Sequence, residues 1–327
     1  MNGQVAQVGD SFGGQLPERL SKPVIQELSR PNLPLMLAHI LLEWVAIGAA
    51  ILLCERFWHP ALYVVTVAYL GARQHGLSIL MHEGVHYRIC KSKPWNDAIA
   101  EVLCAWPVFL PMREFRKSHF AHHRHINTAQ DPDFVRKQTP AWDFPKTRSQ
   151  VLRMLLLDAI GVNGWTVIAM IVQLSRWEKH DEPQARRKEA LYHLARFTFY
   201  AFAFAALVWA GALKQFALYW VVPLLTWYVM VMHIRMIAEH FAVARDHFYS
   251  HTRTVVPTLF DRLFLVPKNI CYHIEHHFYP SVPFFRLPQL HDLMLKDPTF
   301  KRHAHVTHSY STAIKEFCGA KRVALRD

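Results

Sequence analysis

The chain has five cysteines, Cys54, Cys90, Cys104, Cys271 and Cys318, and no C-x-x-C pair among them. That scatter argues against a disulfide framework, a cysteine zinc site or an iron–sulfur cluster held within the chain. A C-x-x-C-H haem-attachment motif is also missing. Any redox chemistry must therefore draw its electrons from outside. Acids are sparse, 25 against 37 lysines and arginines, which leaves a formal net charge of +12. Twelve glycines and 19 prolines in 327 residues exclude collagen-like and low-complexity classes. A hydrophobic fraction of 52% is too high for disorder. The first 30 residues contain acids and no long apolar core, so they do not read as a signal peptide. Zinc-finger, RNA-recognition and helix-turn-helix signatures are missing, so the positive charge points away from nucleic acid.

What the chain does have is length in its apolar runs. Its mean hydropathy of +0.05 averages very unequal stretches. Residues 33–53, 60–81, 195–213 and 215–234 are each 19–22 residues long and nearly free of charge. Crossing a ~30 Å hydrocarbon core takes ~20 residues. The links between the first two and between the last two are very short, so the four read as two membrane hairpins. A fifth run, 151–174, is interrupted by Asp158, Gly161, Asn163 and Gly164 and reads as an interfacial or broken helix. Residues 97–111 are too short to span. Residues 88–150 hold 11 lysines and arginines and residues 236–327 hold 12, whereas the two outer loops hold only Arg56 and Lys214. Basic segments stay cytoplasmic, so both polar segments and the N-terminus should face the cytoplasm. The same bias, with attraction to anionic lipid, explains the net charge. Residues 1–32 are expected as a cytosolic segment, 33–295 as the membrane domain and 296–327 as a polar tail.

Histidine is the outlying residue type, at 22 of 327. Seven lie between 75 and 125 and seven between 233 and 277. Three tight clusters stand out: His82-Glu83-Gly84-Val85-His86, His119-Phe120-Ala121-His122-His123 and His273-Ile274-Glu275-His276-His277. On an α-helix, residues i, i+3 and i+4 share a face. Two imidazoles at i and i+4 can therefore bind one metal ion, and a third at i+3 can reach a second ion beside it. Imidazole suits Fe, Zn, Cu and Ni alike. His240 lies just past the fourth run. All the clusters fall on the expected cytoplasmic side.

H-x-x-x-H followed by two H-x-x-H-H boxes, interleaved with two membrane hairpins, resembles the integral-membrane fatty acid desaturase and hydroxylase superfamily. The resemblance runs from about residue 35 to 295. It includes Asn127-Thr128, Asp131-Pro132-Asp133 and the lead from Tyr272 through His277 to Pro280. It implies an all-α membrane protein, with four transmembrane helices beneath a cytosolic helical cap that holds a di-iron site. The family's ligands map onto His82, His86, His119, His122, His123, His240, His273, His276 and His277. The implied activity is O2-dependent oxidation of an unactivated C–H bond in a lipid or fatty acyl chain, with desaturation ahead of hydroxylation or ketolation. Two iron ions, O2 and a separate electron donor of ferredoxin or cytochrome b5 type go with it. The implied setting is a bacterial inner membrane rather than the endoplasmic reticulum. One departure is visible: some acyl-CoA members carry an asparagine four residues before the His240 position, where this chain has Met236.

Other readings use fewer of these residues. His82-Glu83-Gly84-Val85-His86 also matches the zinc-protease H-E-x-x-H, with Glu83 as general base, but that leaves two boxes unused. In the preferred reading Glu83 orients a ligand histidine. The soluble di-iron carboxylate class needs a second E-x-x-H, which the chain lacks. A histidine-rich transporter would need ligands inside the membrane. His75, His125, His233, His247, His251 and His291 read as hydrogen-bonded or solvent-facing. His303, His305 and His308 fall in the tail, and Arg113, Arg116 and Lys117 read as a solvated basic face. Asp131 and Asp133 read equally as loop formers or partners of a ligand.

Overall fold

The computed structural model describes residues 20–175, 181–243 and 245–318. A short helix α1 (Lys22–Leu28) precedes α2 (Leu33–Arg56), whose first turn is capped when Asn32 accepts the Leu35 N–H at 3.1 Å. Three residues later α3 (Pro60–Val85) begins with Pro60 in its first turn, where the missing N–H costs nothing. The two helices pack along each other as a hairpin.

α3 is the axis of the molecule. Every residue from Leu70 to Val85 is buried, beneath α2, α4 (Lys93–Ala100), α5 (Met112–Arg124), α12 (Trp227–Met236) and α13 (Leu259–Phe264). Two glycines permit this crowding. A Cβ on Gly71 would lie 2.7 Å from the Trp227 Cβ, and one on Gly84 would lie 2.3 Å from the Ala100 Cβ. A π-turn (Glu101–Ala105) and a 3-10 turn (Trp106–Val108) follow α4. They are pinned to the stem where Trp44 donates to the Leu103 carbonyl at 3.0 Å and Trp220 donates to the Pro107 carbonyl at 2.8 Å.

Beyond α6 (Pro132–Arg136) the fifth apolar run is broken as expected. It forms α7 (Arg148–Ala159) and α8 (Trp165–Leu174), separated by a turn containing Gly161 at φ +81°. α9 (Pro183–Trp209) starts 12 residues before the expected 195, because its polar first turns are helical too. A turn with Gly211 at φ +62° leads to a near-continuous helical run, Leu213–Phe241. That run comprises α10 (Leu213–Phe216), a π-turn, α11 (Val222–Leu225), α12 and a second π-turn (Ile237–Phe241).

Three helical segments among the described residues are long and apolar enough to cross a membrane: Leu33–Arg56, Pro183–Trp209 and Leu213–Phe241. The expected second span differs. α3 has the length, but its inner half carries Arg73, Gln74 and His75, and it buries them against protein rather than lipid. Arg73 donates to the Arg262 and Leu263 carbonyls, and Glu43 of α2 sits between Arg73 (3.4 Å) and Lys268 (2.6 Å).

The expected all-α fold needs a correction. β1 (Arg253–Val256) and β2 (His305–His308) form a parallel pair with Arg253 opposite His305 and Val256 opposite His308. Both segments are rich in Val and Thr, which suit a strand. The same pairing corrects the polar tail. α14 (His273–Phe278) and α15 (Leu287–Met294) lead into α16 (Pro298–His303), β2 and α17 (Tyr310–Glu316), and Phe300, Tyr310, Ala313 and Phe317 are fully buried. These apolar residues are widely spaced among charges, so hydropathy alone hides them. Residues 1–19 of the expected N-terminal segment and 319–327 of the tail lie outside the described residues.

Candidate metal centre

Four elements converge on one buried region: the C-terminal end of α3, the middle of α5, the π-turn after α12, and α14. α3 ends at Val85, and His86 is its cap, one turn after His82. The Nε2 atoms of His82 and His86 lie 2.8 and 3.0 Å from the Nε2 of His119 on α5. The His123 Nε2 is 2.9 Å from the same atom, and the His276 Nε2 is 3.0 Å from that of His123. These five histidines form one group. The second group is His122, His240, His273 and His277. His273 lies 2.8 Å from His240 and 3.1 Å from His277, Nε2 to Nε2, and the His122 ring sits 4.7 Å from His240 and 5.0 Å from His277, centroid to centroid. The eight histidines singled out by spacing and His240, added by the resemblance, are all brought together.

The partition follows helical periodicity. On α5, His119 and His123 (i, i+4) enter the first group while His122 (i+3) enters the second. On α14, His273 and His277 (i, i+4) enter the second while His276 (i+3) crosses to the first. The π-turn advances the chain by an extra residue and places Glu239 and His240 together at the second group.

A metal ion fits this arrangement better than hydrogen bonding does. A neutral imidazole nitrogen either donates once or accepts once in the ring plane, yet the His119 Nε2 faces three other Nε2 atoms. A central cation satisfies all of them. Burial holds the rings neutral, as metal binding requires. It lowers His86 to about 3, with help from the positive charges of Arg88 and Arg116. It also carries His119, His123, His273, His276 and His277 well below the ordinary histidine range, each further lowered by neighbouring imidazoles. An all-nitrogen donor set accommodates iron but does not by itself select it.

Carboxylates stand around the histidines, and one of them holds a clustered ring. Asp131, 1% exposed, accepts from the His122 Nδ1 at 2.9 Å and also caps α6 through the Asp133 and Phe134 N–H groups. Burial pushes its carboxyl up, but His122 and the backbone donors bring it net below the usual range. Glu275, buried within the histidine-rich α14, accepts from Thr254 at 2.5 Å and from the His291 Nδ1 at 2.6 Å. Arg235 donates to Glu239 at 2.7 Å, and the other Glu239 oxygen lies 3.5 Å from the His273 Nε2. Glu239, Glu275 and Thr254 escape a reading by motif. The one signal available for the two acids is a carboxylate lodged beside or between clustered histidines.

Several expectations change. Glu83 accepts the Phe284 N–H at 3.3 Å rather than touching a clustered histidine. Arg116 is not solvated: it pairs with Asp97 at 2.6 Å and donates to the Gly84 and Val85 carbonyls. His75 and His233, by contrast, are hydrogen-bonded as expected, to the Leu265 carbonyl and to Asp158. The His305 Nε2 lies 3.1 Å from the Arg253 Nε and 3.0 Å from a Glu316 carboxylate oxygen. Met236 lines a small cleft with His122, Asn127, Asp131, His240 and Phe241, which puts a thioether beside the second group.

Comparison with known proteins then decides the family. The fatty acid desaturase family model matches residues 56–311, most of the chain. The chain belongs to the fatty acid desaturase family. It is therefore an oxidoreductase of that type. Over 304 residues it is 25% identical to a dihydrorhizobitoxine desaturase of Bradyrhizobium elkanii, covering 88% of this chain and 83% of that one. It is 25% identical to a beta-carotene ketolase of Paracoccus, covering 77% and 89%. It is 24% identical to a sphingolipid delta(4)-desaturase/C4-monooxygenase of Bos taurus, covering 92% and 85%.

Proposed function

We propose that this family member is an O2-dependent lipid desaturase that introduces a double bond into an acyl or alkyl chain. In this reading His82, His86, His119, His123 and His276 hold one iron ion, and His122, His240, His273 and His277 hold a second. The observation that carries it is the sorting of nine buried or half-buried histidines into adjoining groups of five and four. Bound iron supplies the O2 chemistry needed to cleave an unactivated C–H bond. The protein's own task is to keep the imidazoles available and aimed. Burial disfavours the protonated form of His86, His119, His123, His273, His276 and His277, and Asp131 aims His122 by its Nδ1.

In this reading the lipid lies among α2, α9 and the Leu213–Phe241 run, the three candidate spans, with α3 as a fourth whose inner half faces protein. The basic segments put the centre on the cytoplasmic side. A ferredoxin- or cytochrome b5-type donor supplies electrons there. The ketolase among the relatives keeps oxygen insertion as a second outcome at the same site.

Lipid profiling of cells expressing the protein, against a His276→Ala control, tests the reading. An added unsaturation that needs O2 and His276, with about two irons per purified chain, supports it. A hydroxylated or keto product selects the second outcome. One zinc per chain, or a lipid profile unchanged by the protein, overturns both.

A further inference from the structure

Glu239 meets the second group at a nitrogen that the other rings face. The His273 Nε2 lies 2.8 Å from the His240 Nε2 and 3.1 Å from the His277 Nε2, and the Glu239 Oε2 lies 3.5 Å from that same atom. Glu239, His240 and His273 are all buried, with donor atoms within 4.8 Å of one another. Asp131 is placed differently, on the Nδ1 of His122.

The separation of 3.5 Å is long for an N–H···O bond, which spans about 2.7–3.2 Å. It suits two donors of one ion. At about 2.1 Å each from a first-row metal, they stand about 3.0 Å apart at a right angle and about 4.2 Å apart when opposite. The donor count points the same way. The first group has five imidazoles and the second has four, so one more donor would make them equal.

Local structure delivers that donor. Glu239 immediately precedes His240 in the π-turn Ile237–Phe241. Neighbours on a regular α-helix point ~100° apart, and the wider turn brings both to one site. Arg235, one turn earlier, donates its Nε–H to Oε1 at 2.7 Å, which fixes the carboxyl and leaves Oε2 toward His273. The Tyr310 hydroxyl of α17 also stands beside this carboxyl. A carboxylate has about four lone-pair sites, so Arg235, Tyr310 and a metal ion do not compete for one position.

We propose that Glu239 is a tenth ligand of the centre and binds the second ion through Oε2. The first ion then has five neutral imidazoles, and the second has four imidazoles and one anionic oxygen. Net charge at a site tunes its potential, so the second iron is the easier one to oxidise. The proposal rests on the two-iron reading and makes the two ions chemically unequal.

The test is Mössbauer spectroscopy of the purified full chain loaded with Mössbauer-active ferrous iron, together with chelator competition. The wild type should give two quadrupole doublets of equal area. Glu239→Gln keeps an acceptor for Arg235 but loses the anionic donor. It should move one doublet, leave the other in place and weaken iron binding at least about tenfold. Glu239→Asp keeps the charge opposite Arg235 and withdraws the oxygen by one methylene, so it should move the same doublet even where the glutamine variant folds poorly. Two unmoved doublets with wild-type iron affinity, or movement of both doublets, would overturn the assignment. Wild-type protein that binds no iron counts against the two-iron reading instead, so the two failures are distinct.

Discussion

Asp131 shows how much one side chain carries at this centre. Its carboxylate holds His122 by the nitrogen opposite the clustered one and caps α6 at the same time. Asparagine caps a helix about as well as aspartate, so Asp131→Asn separates the two tasks. The variant should fold normally yet bind iron 10–100-fold more weakly, the usual cost of losing such a brace. Competition with a graded chelator reads the affinity, and near-wild-type retention of iron would count against the brace. Eight of the nine histidines were legible because a rule of geometry, i, i+3 and i+4, makes them visible without any fold; His240 has no partner at that spacing and was named through the family resemblance alone. The groups around them were not legible in the same way. Thr254 reaches Glu275 across 21 residues and His291 across 16, and no local period links them. Glu83 misled for the opposite reason: adjacency to His82 in sequence did not become contact with a clustered ring.

Among the elements, helix packing sets the tolerances. Gly84 admits Ala100 so closely that a methyl group there forces α3 and α4 apart. Gly84→Ala should destabilise the protein by about 1–3 kcal/mol and displace His82 and His86, which flank it. Thermal unfolding and iron content should fall together, and a variant that keeps both would show that α4 yields freely. The β1–β2 pair makes a second, pH-dependent prediction. Burial raises the Glu316 carboxyl, but His305 and Arg253 outweigh it, so the folded group stays net below its ordinary 4.5. A depressed carboxyl stabilises the fold above the unfolded value and loses that contribution as pH falls through the folded one. The melting-temperature gap between wild type and Glu316→Gln should therefore be full above about pH 5 and close at lower pH; a gap that widens on acidification would contradict the pairing. The strands were invisible in advance because each is four residues long, and the partners lie about 50 residues apart. The long helices were legible to within a few turns. α3 was legible as a helix but not as one whose inner half serves the protein rather than the bilayer.

For the whole molecule, the charge asymmetry makes orientation testable. A cysteine placed at Trp58, in the first outer turn, or at Lys214, at the start of α10 just past the second, should react with a membrane-impermeant maleimide from the non-cytoplasmic side in a background lacking the native cysteines. One at Lys137 should react only after permeabilisation, and the reverse pattern would invert the topology. The interleaving of the histidines has a different consequence. α3 serves only the first group and the π-turn after α12 only the second, but α5 and α14 each serve both, so neither of those two helices can form or fray without disturbing both groups. Filling should therefore be all-or-none: titrated with ferrous iron, the apoprotein should pass from empty to doubly loaded with scarcely any singly loaded species in native mass spectra. Loss should be equally abrupt, with one chelation step releasing both ions. A centre wired this way has no half-armed form in which one ion, loaded alone, meets oxygen without its neighbour.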